Sequence, residues 1–134
     1  MVIEYTLVEI DQVAKQIINS FFHSIVAISG QMGSGKTTLV KSIASQLGSE
    51  DTVSSPTFGL VHEYDIPNTK LIHMDLFRLE KQSELDQLGF YDYISTGKIC
   101  LIEWPELAAK HIQGACHHVH IEWVDENIRK LNFK

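Results

Sequence analysis

Gly30-Gln31-Met32-Gly33-Ser34-Gly35-Lys36-Thr37-Thr38 is the stretch that decides the fold. Directly before it, Ser24-Ile25-Val26-Ala27-Ile28-Ser29 is an apolar run of strand length. Directly after it, Leu39, Val40, Ile43, Ala44 and Leu47 recur at helical spacing, and Gly48 closes the run. Strand, glycine-rich turn and helix in that order are the context in which G-x-x-x-x-G-K-[ST] acts as a phosphate-binding loop. Gly30, Gly35, Lys36 and Thr37 meet that pattern.

The chemistry accounts for each residue type. Glycines at 30, 33 and 35 let the backbone bend into a nest whose N–H groups point inward at phosphate oxygens. A helix starting near Gly35 adds its unpaired N–H groups and the positive end of its dipole. Lys36 can set its ammonium between the outer phosphates, the Thr37 hydroxyl can bind Mg²⁺, and Thr38 is placed for an inner phosphate. An ordinary glycine-rich strand-to-helix turn is the bland alternative, and the flanking elements weigh against it.

Bulk properties bound the rest. A chain of 134 residues reads as one domain over 1–134, with 44% hydrophobic and 21% charged residues, as in a water-soluble globular protein. No apolar run approaches a membrane span, and Met1-Val2-Ile3-Glu4-Tyr5 carries no basic flank of a secretory signal. Cys100 and Cys116 cannot form a disulfide scaffold; Cys100 reads as a buried reduced thiol, and a cytoplasmic location is expected. The net charge of −6 sets 11 basic against 17 acidic residues. Direct binding of nucleic acid needs clustered Lys and Arg, so any action on nucleic acid is expected to pass through a protein partner.

In chain order, Met1 to Leu7 reads as a short edge strand. Asp11 reads as the N-cap of an amphipathic helix that carries Val13, Ala14, Ile17, Ile18, Phe21 and Phe22 and ends near His23. After the loop and its helix, residues 49–58 are polar and read as an exposed loop. Leu60–Tyr64 and Lys70–Asp75 make a hairpin around Ile66–Thr69. Short helices are expected over Glu80–Leu88, Phe90–Ile94 and Glu106–His111. Strands are expected over Lys98–Trp104, His117–Val124 and Arg129–Phe133, the last two joined at Asp125–Asn127. His117, His118 and His120 read as an exposed strand face rather than a metal site, because no Cys or carboxylate cluster stands at fitting spacing.

A triphosphate site needs an acid at a strand end close to the loop. Asp75 and Glu103 both end apolar strands, where an α/β sheet places its ligand groups. Spacing does not choose between them. The Lys98–Glu103 run is the more uniformly apolar and so the better central strand. Mg²⁺ is therefore assigned to Glu103 with Thr37, and Asp75 becomes the group that orients water or acts as base.

Four motifs in order now carry a resemblance: Gly30–Thr38, Ser55-Pro56-Thr57-Phe58, His73-Met74-Asp75-Leu76-Phe77-Arg78-Leu79, and Cys100-Leu101-Ile102-Glu103-Trp104-Pro105. Over about residues 1–124 the chain resembles the TsaE (YjeE) family. That resemblance implies an α/β fold of the P-loop NTPase-like three-layer kind, a mixed central sheet flanked by helices. It implies a small bacterial ATPase using ATP and Mg²⁺, needed for N6-threonylcarbamoyladenosine in tRNAs that decode ANN codons. It works with the TsaD–TsaB heterodimer, while TsaC supplies the threonylcarbamoyl-adenylate; tRNA is met only through the complex, and no membrane is involved. Residue by residue, the resemblance makes Gly33, Ser34, Gly35, Lys36, Thr37 and Thr38 nucleotide contacts, and Thr37 and Glu103 metal ligands. Asp75 is the essential acid beside the catalytic Lys36. Ser55 and Thr57 fall in a switch-like loop, Trp104 makes nucleotide or partner contacts, and Glu9 lies by the adenine. Arg129 matches an arginine near the nucleotide once a one-residue gap is allowed. Gln31-Met32, Ser34 and Phe77 depart from the usual residues without removing a polar group.

Two other functions compete on the sequence alone. A small-molecule kinase would use Asp75 to deprotonate an acceptor hydroxyl, but the chain lacks an Arg-rich lid segment and has little length for an acceptor-binding domain. A nucleotide-dependent switch would change shape without productive hydrolysis.

Overall fold

The computed structural model describes residues 1–50 and 60–134. Its first strands and helices follow the hydrophobic pattern closely: β1 (Val2–Tyr5), α1 (Ile10–Ile18), β2 (Ile25–Gly30) and α2 (Lys36–Gln46). The hairpin is β3 (Val61–Ile66) and β4 (Thr69–Asp75), antiparallel with Tyr64 opposite Leu71. Then come α3 (Gln82–Leu88), α4 (Phe90–Ile94), β5 (Cys100–Glu103), α5 (Ala109–Ile112), β6 (Cys116–Trp123) and β7 (Arg129–Phe133). Single 3₁₀ turns cover Leu7–Glu9 and Pro105–Ala108.

Seven strands form one mixed sheet in the order β1-β7-β6-β2-β5-β4-β3. β2 lies parallel to β5 on one side and to β6 on the other, and β4 runs parallel to β5. The four parallel strands therefore end on one edge, and the antiparallel strands flank them. The near-continuous burial of Ile25–Ile28 and Cys100–Glu103 is what parallel strands covered on both faces require.

Helices sit on both faces, giving three layers. On one face Val26, Ile28, Leu101, Val119 and Leu131 pack against Val13 and Ile17 of α1 and Leu39 and Ile43 of α2. On the other, Ala27, Ile72, Met74 and Ile102 pack against Leu85, Phe90 and Ile112. Among the described residues no helix is long and apolar enough to cross a membrane.

Two readings of the sequence need correction. α1 ends at Ile18, not near His23, because Ser20 and Phe21 turn their N–H groups onto the carbonyls three residues back. Asp11 lies inside its first turn, not at the cap, where the carboxylate accepts a hydrogen bond from Ser42 Oγ of α2 at 2.5 Å. Phe22 is left exposed, while Phe21 packs on His117 and Phe133. Secondly, His117 is not on an exposed face. The pleat turns His118 and His120 outward and buries His117 completely. Its Nε2 accepts from the Phe22 and His23 N–H groups, both at 3.0 Å, so Nδ1 carries the proton and donates to the Lys134 carbonyl at 2.9 Å. His117 thus pins the end of β7 to the turn before β2.

Candidate functional site

The apolar run of β2 stops at Gly30, and the chain turns there under a steric demand. Gly30 has φ +148°, and a Cβ at that position would lie 2.6 Å from the Ile121 carbonyl oxygen. Gly33 (φ +78°) and Gly35 (φ +105°) bring the backbone around to the start of α2. The first helical bond of α2 is Leu39 N–H to the Gly35 carbonyl, at 3.0 Å. The start of α2 is thus a helix N-terminus, the kind of backbone end at which anions bind.

Lys36 is nearly buried, yet its ammonium donates to the Gly30 and Gln31 carbonyls at 2.7 and 3.0 Å. The loop's own carbonyls therefore fix where its charge sits. The Trp104 ring lies over the ammonium, 4.3 Å from Nζ to ring centre. Trp104 itself is held in the left-handed region, φ 54°, ψ 60°, between Glu103 and Pro105. That turn carries the ring back over the loop, where it also meets Phe77 at 4.9 Å. Burial pulls the Lys36 pKa below the ordinary lysine value, and Glu103, Asp75 and Glu106 oppose the shift.

Both predicted acids arrive beside the loop. Register sets Asp75 of β4 directly opposite Glu103 of β5, and Glu103 opposite Ile28 of β2. Glu103 is 2% exposed. Its Oε1 accepts from Thr37 Oγ1 at 3.2 Å and its Oε2 contacts His73 Nε2 at 2.5 Å. Asp75 is partly exposed, and its Oδ1 accepts from the Phe77 N–H at 3.1 Å. Burial raises the Asp75 pKa; the Phe77 hydrogen bond opposes this, and the neighbouring Glu103 charge adds to it. A cavity of about 330 Å³ joins Gly33, Lys36, Thr37, Asp75, Glu103 and Trp104.

The donor set decides which metal would fit. Thr37, Glu103 and Asp75 offer hard oxygens, suited to Mg²⁺ rather than to a soft transition metal. No group of three or more His, Cys, Asp or Glu residues able to hold a metal ion exists among the described residues. A hydrated Mg²⁺ that takes its remaining ligands from phosphate oxygens needs no such group.

The opposite side of the loop opens a second cavity of about 250 Å³, walled by Tyr5, Leu7, Ile10, Ser34, Asn127 and Arg129. Glu9 does not line it. Its carboxylate accepts from the Thr6 N–H at 3.0 Å and Thr6 Oγ1 at 2.9 Å, bonds that depress its pKa and fix the turn carrying Leu7. Arg129 lines the cavity but spends its guanidinium on backbone: Nε donates to the Ser34 carbonyl at 3.1 Å and Nη1 to Asp125 at 2.7 Å. Ser34 is buried, and its Oγ has no hydrogen-bond partner. Ser55 and Thr57 lie outside the described residues.

The sequence reading turned His73 opposite to Met74 and toward the core, where it is indeed wholly buried, but gave it no part in the site. The signal was present in the alternation of β4: Leu71, His73 and Asp75 share the face turned to α2, and a histidine there interrupts an apolar stripe.

Comparison with known proteins gives the family. Residues 5–131 match the family model described as threonylcarbamoyl adenosine biosynthesis protein TsaE. The tRNA threonylcarbamoyladenosine biosynthesis protein TsaE of Haemophilus influenzae is 39% identical over 102 residues, which are 76% of this chain and 65% of that protein. Its counterpart of the same name in Bacillus subtilis is 33% identical over 109 residues, 81% of this chain and 68% of that protein. The chain thus spans just under two thirds of the first relative's length. The crystal structure of YdiB from Bacillus subtilis superposes with a TM-score of 0.76 over 99% of this chain and 84% of that one; at 24% identity, the likeness is one of fold.

Proposed function

This chain belongs to the TsaE family, and from that membership we propose that it is an Mg²⁺-dependent ATPase serving threonylcarbamoyladenosine synthesis on tRNA. In this reading it acts in the cytoplasm on the TsaD–TsaB heterodimer, and ATP hydrolysis supports turnover of that complex. The observation that carries the reading is the meeting of Thr37 and Glu103 at 3.2 Å beside a lysine already aimed by the loop. A fold-only strand-to-helix turn has no need to bring a strand-end carboxylate onto the first turn of the helix.

The geometry supports the following roles. The N–H groups from Gly33 to Thr38 and the Lys36 ammonium would hold the phosphates in line. Thr37 and Glu103 would hold the Mg²⁺, which when bound draws charge off the outer phosphate oxygens. Asp75, with its raised pKa, is the group suited to take a proton from attacking water or to orient it. The cavity walled by Tyr5, Leu7 and Ile10 would receive the base, with Glu9 acting only through the Thr6 bonds that fix the turn carrying Leu7, and Arg129 bracing the loop through Ser34. Trp104, seated on the lysine, would report the state of the site to the partner complex.

The test is phosphate release from ATP with and without purified TsaD–TsaB, together with calorimetry of ATP binding to wild type and Lys36→Ala. Slow release alone, faster release with the pair, and at least about tenfold weaker binding by Lys36→Ala are expected. Equal affinity of the two proteins for ATP would end the reading. Phosphate appearing on an added hydroxyl metabolite would replace it with the kinase.

A further inference from the structure

Glu103 is buried with both oxygens committed, Oε1 toward Thr37 at 3.2 Å and Oε2 against His73 Nε2 at 2.5 Å. His73 is wholly buried, and its other ring nitrogen, Nδ1, has no hydrogen-bond partner. Leu71 and Leu101 beside it are also fully buried, so the site could be filled by a leucine without stranding a polar atom. The ring plane is set by Tyr64, stacked at 6.3 Å and 28°, whose hydroxyl is tied to His62 Nδ1 at 3.0 Å. A histidine that leaves one nitrogen unpaired to bring the other onto a single carboxylate is placed for that carboxylate. We propose that His73 is a positioning residue that aims Glu103 at the Thr37 side of the phosphate loop and so sets the affinity of the site for its divalent cation. The inference rests on the nucleotide reading above. A glutamate has three side-chain torsions, and holding Oε2 on His73 narrows them and leaves Oε1 the oxygen nearer Thr37, 3.2 Å against 3.5 Å for Oε2. Partners that orient a metal ligand in this way typically govern metal affinity by about 10–100-fold.

The test compares two amides of opposite reach. The amide of His73→Gln falls where imidazole Nε2 lies, and that of His73→Asn falls where Nδ1 lies. Mn²⁺ binding is followed by electron paramagnetic resonance with saturating non-hydrolysable ATP analogue, and analogue affinity is measured again in EDTA. H73N is expected to weaken Mn²⁺ at least about tenfold while H73Q stays within about threefold of wild type, with metal-free affinity unchanged in both. Wild-type Mn²⁺ affinity in H73N, or equal losses in both variants, overturns the proposal. Should H73N fail to fold by circular dichroism, the wild-type protein decides. The slowly exchanging His73 Nε2 proton should shift in the NMR spectrum when Mg²⁺ joins the analogue complex, and an unmoved resonance overturns the inference. Failure of the wild type to bind analogue at all would instead remove the nucleotide reading itself.

Discussion

The two acids at the site differ in freedom, and the proposed roles use that difference. Glu103 is held at both oxygens, whereas Asp75 keeps one oxygen clear of the Phe77 N–H and stays partly exposed. Asp75→Asn should therefore spare ATP affinity to within about threefold and reduce phosphate release by at least about 100-fold, read by calorimetry and a phosphate assay. A second consequence concerns stability. Because burial raises the folded pKa of Asp75, the folded state holds its proton more tightly than the unfolded state does. Stability tied to this group is present below the ordinary value of 3.8 and is lost as pH rises through the elevated folded value. Asp75→Asn should thus melt above the wild type at about pH 7, and the gap should close at about pH 3.5, measured by thermal scans. A wild type that melts higher at neutral pH would refute the assignment. Lys36 was legible from the motif alone, whereas His73 was not, since its partner lies 30 residues further along the chain.

At the scale of elements, the loop depends on how closely β2 can approach β6. Gly30 pairs with Ile121, and the space its missing side chain leaves is already filled by the Ile121 carbonyl and Ser34 Oγ. Gly30→Ala should cost about 1–3 kcal/mol, seen as a lowered urea midpoint with unchanged slope. An unaltered midpoint would mean that the β2–β6 contact is looser than described. The start of β5 gives a second check. Burial drives the Cys100 thiol up to about 12, while Cys116, also raised by burial, is only partly covered. Iodoacetamide at about pH 8 should label Cys116 first and reach Cys100 only after urea unfolding, as peptide mass spectrometry would show. Most element positions were legible because period-2 and period-3.6 patterns are local. The end of α1 was not, because Phe21 and Phe22 continue the apolar pattern while the N–H groups of Phe22 and His23 are recruited by His117, 95 and 94 residues further along the chain.

For the whole molecule, charge bears on the proposed role in tRNA modification. With 17 acidic and 11 basic residues, the isolated chain has little means to displace counterions from phosphate backbones. A gel-shift titration with tRNA at low salt should show no complex at about 10 µM protein, and tRNA should be retained only when the partner pair is present. Salt-sensitive binding by the chain alone would overturn this.

Sequence by itself determined the strand, the glycine turn and the helix of residues 24–48, because the interactions that build them span only a few residues. It also gave the hairpin, the central place of the Lys98–Glu103 strand and the two carboxylates. Only the tertiary structure decided that Asp75 and Glu103 stand side by side, that Thr37 meets Glu103, that His73 stands behind it, and that Arg129 braces Ser34. Those contacts follow from strand order and register across the sheet. Neither is encoded in any short stretch of chain; both emerge when every apolar face is buried at once.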